Sequence, residues 1–344
     1  MAKEKIIHKT SVGGQALMEG VMMNGPKGAA ISVRHTDGHI ITEMSEVKHI
    51  KDKVKILGLP FVRGIVNFIE SMTVGYKSLM RSVELSGMLD EEEDKEQMSK
   101  LDRWLSEHLG PKVFNVLTIF ASVIAVVFCV ALFFYAPTYL VDLVDEKLLN
   151  GAIADFHPLF EGILKIVIVV IYMLVVSQMK DIKRVFMYHG AEHKTIFCYE
   201  QGLPLTVDNV KKQRRFHPRC GTSFLILMLI VSILIGFLIP SAQVLGLKQT
   251  VVYTLVRAAI KLLLIPLTMG IGYELLKLAG RYDNIFTRII SAPGMWLQRI
   301  TVREPTDDMI ECAIKAFVAV LPEEEKAKAL TEETPVAEEK TDAE

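Results

Sequence analysis

Residues Val113–Tyr135 contain no charged side chain, and a run of that kind leaves a chain few choices. As a helix it is about 35 Å long, enough to cross a hydrocarbon core about 30 Å thick. Pro137 closes it. Leu159–Met179 carries only Glu161 and Lys165, both near its start, and Thr222–Ile239 is uncharged up to Pro240. A fourth run, 260–279, is weaker, because Lys261 and Glu274 lie within it and Pro266 interrupts it. The expected fold class is therefore a mostly α polytopic membrane protein with about four transmembrane helices, at 113–135, 159–179, 222–239 and 260–279. Helices buried in a large soluble domain are the competing reading. Three charge-poor runs in succession argue against it.

Loop charge gives an orientation. Asp142, Asp145, Glu146 and Asp155 against Lys147 make the first connection acidic. The second, 180–221, holds Lys180, Lys183, Arg184, Lys194, Lys211, Lys212, Arg214, Arg215 and Arg219. Arg281, Arg288, Arg299 and Arg303 follow the fourth run. By the positive-inside rule, loop 180–221 and both termini face the cytoplasm, and an even number of spans agrees.

Outside the 113–280 membrane domain, residues 1–88 read as a small cytosolic α+β region. Ala29–His35 and His39–Met44 flank Thr36-Asp37-Gly38, a tight-hairpin signal. Pro60 opens an amphipathic helix over Phe61–Val83. An acidic linker fills 89–112. In the C-terminal cytosolic segment 281–321, Thr306 begins an amphipathic helix with Met309, Ile310, Ala313, Ile314 and Phe317 on one stripe. Residues 322–344 have the composition of a disordered acidic tail. The net charge of −1 gives no reason to expect nucleic acid as a partner. Four scattered cysteines do not form a disulfide framework. The stretch Met1–Gln15 has no apolar core, so no cleavable signal peptide is expected.

Chemistry concentrates at His189-Gly-Ala-Glu192-His193. Residues four apart on a helix share a face, so both imidazoles can grip one divalent metal ion, with zinc preferred. Glu192 is then placed as general base on a metal-bound water, the arrangement of H-x-x-E-H hydrolases. A chance match is expected roughly twice in a hundred such chains. A catalytic zinc needs a third ligand. His217 and Cys220, Glu200 seven residues past His193, and Glu274 in the fourth run are the candidates, all near the inner boundary. Glu274 fits best, as a glutamate on a later helix. The bland alternatives are lipid-facing histidines, a structural Cys/His clip, and a Glu274 ion pair. Arg219 or Arg215 is available to an oxyanion by proximity. The glycine-rich run 13–26 brings Gln15, Glu19 and Asn24 toward a polar site, although a strand and turn packed under the hairpin is the favoured reading. Arg63 lies among the apolar residues of its helix.

These strings make the chain resemble the YqhQ family of bacterial membrane proteins. The resemblance rests on Gly13-Gly-Gln15-Ala-Leu-Met-Glu19-Gly-Val-Met-Met, Pro60-Phe61-Val-Arg63-Gly64 and Tyr188-His189-Gly-Ala-Glu192-His193-Lys194. It continues through His217-Pro-Arg-Cys220-Gly-Thr-Ser-Phe224, Tyr273-Glu274 and Arg303-Glu304-Pro305. It implies a multi-pass protein of the bacterial plasma membrane with a metal site, and carries no substrate or reaction.

Two functions compete. The leading one is a metal-dependent, hydrolase-like enzyme at the cytoplasmic membrane face, acting on a membrane-protein or lipid substrate. The other is a non-enzymatic scaffold or assembly factor, with a structural metal or none. A transporter is a weaker third and would need a homo-oligomer to form a pathway.

Overall fold

The computed structural model describes residues 10–45, 58–88, 111–218, 220–239, 251–282 and 284–330. The expected acidic linker lies almost wholly outside them, as does Arg219.

The N-terminal region is a four-stranded antiparallel meander, not a lone hairpin: β1 Gly13–Leu17, β2 Gly20–Gly25, β3 Gly28–Arg34 and β4 Ile40–Ser45. The register pairs Gly14 with Met23, Met22 with Ile31 and Ser32 with Thr42. Side chains alternate across the sheet, so each face carries its own apolar set. Leu17, Met22, Ala29, Ile31 and Val33 pack on Val74, Leu79 and Leu85 of helix α1, Val62–Leu85. Val21, Met23 and Ala30 of the other face join the core formed with later helices. A small sheet covered on both faces gains burial that a two-stranded hairpin cannot supply.

Helix α2, Pro111–Val130, runs through one π turn, Ala131–Tyr135, into α3, Ala136–Leu148. The expected stop at Pro137 does not occur. Proline removes one backbone donor, and a π turn just before it re-routes the hydrogen bonds so that the helix continues. The apolar stretch Ile119–Leu148 then spans 30 residues. Val123, Val126, Val127 and Phe128 are all more than half exposed on it, which suits lipid rather than water. Asp142 and Asp145, expected in an outer loop, are buried on α3.

Helix α4, His157–Val176, is the second element of spanning length. Next come α5, Lys180–Glu200, α6, Val207–Lys211, and α7, Gly221–Gly236, which is apolar but shorter. Helices α8, Val251–Leu263, and α9, Ile265–Arg281, meet at a 46° bend beside Pro266. Among the described residues, two helices are thus long and apolar enough to cross a membrane, or three if the bent pair counts as one span.

Two helices were not foreseen or lie where disorder was expected. Helix α10, Ile285–Thr301, contains Pro293 and opens with a capping box of Asn284 and Thr287. The foreseen helix α11 is Asp307–Ala319, and α12, Glu323–Leu330, folds the first part of the expected tail, burying Ala329. Helix α11 supplies Met309, Ile310, Ala313, Ala316 and Phe317 to the core shared with the sheet and α5.

Candidate metal centre

From Tyr188 to Cys198 nearly every residue of α5 is buried, because the sheet, α11 and the segment after α10 close around it. Buried imidazoles and carboxylates there need partners. The rings of His189 and His193 lie one turn apart with centroids 4.4 Å apart. His189 Nδ1 is 3.0 Å from the Thr301 carbonyl, and His193 Nδ1 is 2.5 Å from the Arg215 carbonyl. A carbonyl only accepts, so each Nδ1 donates and each Nε2 keeps a lone pair. This is the outer-shell pattern that orients metal-binding histidines.

The third side chain in reach of both rings that could donate to a metal is Cys220. Its Sγ lies 3.2 Å from His189 Nε2, and ligand atoms of His189, His193 and Cys220 all fall within 4.8 Å of one another. Tetrahedral zinc with Zn–N about 2.0 Å and Zn–S about 2.3 Å separates such atoms by about 3.5 Å. The observed spread encloses that value. Two imidazoles and a thiolate suit zinc.

Glu192 completes the set. Its Oε2 is 3.9 Å from His189 Nε2, and its carboxylate accepts the backbone N–H of Gly14 on β1. Burial pushes the carboxyl above its usual range, opposed by nearby His189 and by the Gly14 amide. Gly14 is the contact that sequence reading missed. A Cβ there would stand 2.8 Å from Glu192 Cγ and 2.7 Å from the Met22 carbonyl, so Gly14 lets β1 reach the site.

Other expected residues have different places. Glu274, the favoured third ligand, is not in the group. It accepts Arg63 Nε at 2.6 Å and the same guanidinium's Nη2 at 2.5 Å, while Asn67 donates to the Tyr273 hydroxyl at 2.7 Å. Those strings form the joint between α1 and α9, where a Cβ on Gly64 would come within 3.1 Å of Gly270 Cα. His217 sits one layer behind the centre. Gln298 clamps its backbone N–H and carbonyl, each at 2.8 Å, and its Nε2 lies 3.8 Å from buried Glu200. Glu200 accepts the backbone N–H of Thr10 at 2.9 Å. Gln15 rests against Gly75 of α1, and Glu19, at φ +51°, pairs with Arg184. The glycine-rich run is thus strand and turn, as favoured, yet it also touches Glu192.

Residues 59–323 match the family described as "Protein of unknown function (DUF1385)". The chain belongs to this family. Its similarity extends to the "Uncharacterized protein YqhQ" of Bacillus subtilis (strain 168), 36% identical over 325 residues, covering 93% of this chain and 95% of that protein. No solved structure matches the chain. The DUF1385 match takes in the candidate ligands and Glu192, but starts after the sheet that supplies Gly14. The similarity to YqhQ covers 93% of the chain.

Proposed function

We propose that this DUF1385 protein is a membrane-embedded metalloprotein that holds one divalent ion, zinc by its donor set, on His189, His193 and Cys220. The carrying observation is that the Thr301 and Arg215 carbonyls hold both Nδ1 atoms while ligand atoms of His189, His193 and Cys220 lie within 4.8 Å of one another. A zinc held by these three residues would supply an acidified water as nucleophile. Glu192, 3.9 Å from His189 Nε2, would serve as the base that takes the proton and passes it to a leaving group, which favours hydrolysis. The basic segment around α5 supports a cytoplasmic location for this end of the helical bundle.

Elemental analysis of the purified chain tests the reading. About one zinc per chain is expected, and a His189→Ala/His193→Ala variant should lose it. Equal metal in both removes the proposal. X-ray absorption separates enzyme from scaffold: two nitrogens, one sulfur and one light oxygen donor fit a water-bearing site. Four protein donors would instead favour a structural clip tying α5 to α7. Glu192→Gln should leave metal content unchanged while removing hydrolysis.

A further inference from the structure

A second site lies beside the candidate centre and has different chemistry. A cavity of about 450 Å³ opens between the end of α4, the start of α5, Arg215, and the segment Arg299–Glu304. Four cations line it, Lys183, Arg215, Arg299 and Arg303, against one carboxylate, Glu304. Glu304 is already taken by Lys194 and by Arg215 at 3.1 Å. Arg303 is fixed by donating to the Ser177 carbonyl at 2.9 Å. Among the described residues, Lys183, Arg299 and Arg303 have no carboxylate within ion-pair reach. The pocket therefore holds surplus positive charge on a rigid wall, which is what a phosphate diester needs.

Its surroundings identify the source of that phosphate. Leu174 lines the pocket, and the exposed Val175 on α4, Met179 just beyond it, and Met295 and Trp296, about one turn before Arg299 on α10, are close to its lining residues in sequence. Exposed aliphatic residues with a tryptophan, next to a cluster of cations, are the side-chain layering of a membrane–water interface. We propose that this pocket binds the phosphate headgroup of an anionic phospholipid, with the acyl chains lying along α4 and α10. The pocket also adjoins the candidate centre: the carbonyl of Arg215 holds His193, and Ile300 and Val302 flank the Thr301 carbonyl that holds His189. A headgroup seated there would touch the segments whose carbonyls orient both histidines, so its binding would be felt at the candidate centre through them; that clause rests on the metal reading, the binding site does not.

Native mass spectrometry of the full chain released from mixed micelles tests this. Phosphatidylglycerol and phosphatidylcholine of identical acyl chains would be offered at equal amounts, with inorganic phosphate as a third arm. Retention of phosphatidylglycerol over phosphatidylcholine by about tenfold or more is expected, falling to near parity in Lys183→Gln/Arg299→Gln. Both side chains are exposed, so the variant keeps its fold. No preference in the wild type, or an undiminished preference in the variant, overturns the proposal. Complete displacement by millimolar phosphate would show a small-anion site and overturns the lipid assignment. The His189→Ala/His193→Ala chain should keep the preference, so loss of the metal reading and loss of the lipid site are separately visible.

Discussion

Gly190→Ala is the sharpest test of how the candidate centre is built. Gly190 lies between the two histidines, and a Cβ there would stand 2.0 Å from the backbone oxygen of Arg303. Ordinary contact begins near 3.4 Å, so α5 and the segment after α10 must part by about 1.4 Å. That obstacle is backbone and cannot rotate away. The same segment donates Arg303 N–H to the Phe186 carbonyl at 2.8 Å and offers the Thr301 carbonyl to His189 at 3.0 Å. Overpacking of this kind costs about 1–3 kcal/mol, and loss of the Arg303 bond adds about 1 kcal/mol. Freeing an outer-shell partner of a ligating histidine lowers metal affinity by roughly 10- to 100-fold. The assay is zinc competition against a chromophoric chelator, beside thermal unfolding of the detergent-purified chain. Gly221→Ala is the control, because a Cβ there meets nothing within 4 Å although the residue adjoins Cys220. A Gly190→Ala protein that melts and binds zinc like the wild type would refute the reasoning.

Cys220→Ser should cost more than the roughly 100-fold upper range of an outer-shell loss in zinc affinity, whereas Glu274→Gln should leave metal content intact and lower the melting temperature by loosening Arg63; metal analysis and melting of both variants decide between the two glutamate and thiol assignments. Glu161 on α4 is 2% exposed and pairs with both Lys165 at 2.8 Å and Lys261. Glu161→Gln strands two ammonium groups inside the bundle and should destabilise by about 3–5 kcal/mol, read as loss of monodisperse protein on size exclusion, with partial rescue by adding Lys261→Met. Trp296 is 66% exposed. In a Trp104→Phe background its emission should be quenched by brominated phospholipid; unchanged emission would remove α10 from the membrane interface.

Signals with local physics were legible. Asp37-Gly38 placed the β3–β4 turn, Thr306 marked the start of α11, and the i, i+4 spacing put His189 and His193 on one face. What was missed depended on partners. The run 13–26 reads as strand and turn, but its pairing into a four-stranded sheet does not show in the sequence, because β1 and β2 are rich in glycine and methionine and their place depends on cover by α1 and α5. Pro293 hid α10, and Pro137 masked the continuity of α2 into α3, since a proline's effect depends on where neighbouring carbonyls can go. The sequence favours Glu274 over Cys220 because H-x-x-E-H enzymes take their third ligand from a glutamate on a later helix. Only coordinates show that Arg63 reaches Glu274 first.

A common construction runs through the contacts around the centre. β1 approaches Glu192 at Gly14, the segment after α10 approaches α5 at Gly190, and α10 crosses α7 at Gly294, where a Cβ would lie 2.4 Å from Ser223 Cα. Three of the layers around the centre therefore arrive through a glycine. Backbones that close have little room to relax, and close-packed interiors transmit even small displacements. On the metal reading, both imidazoles would be set before an ion bound, since their outer carbonyls are already engaged. Preset donors reduce the ordering that metal capture would otherwise require. It follows that sensitivity to substitution at this site extends to three positions with no side chain, where a search confined to His, Cys and Glu would not look.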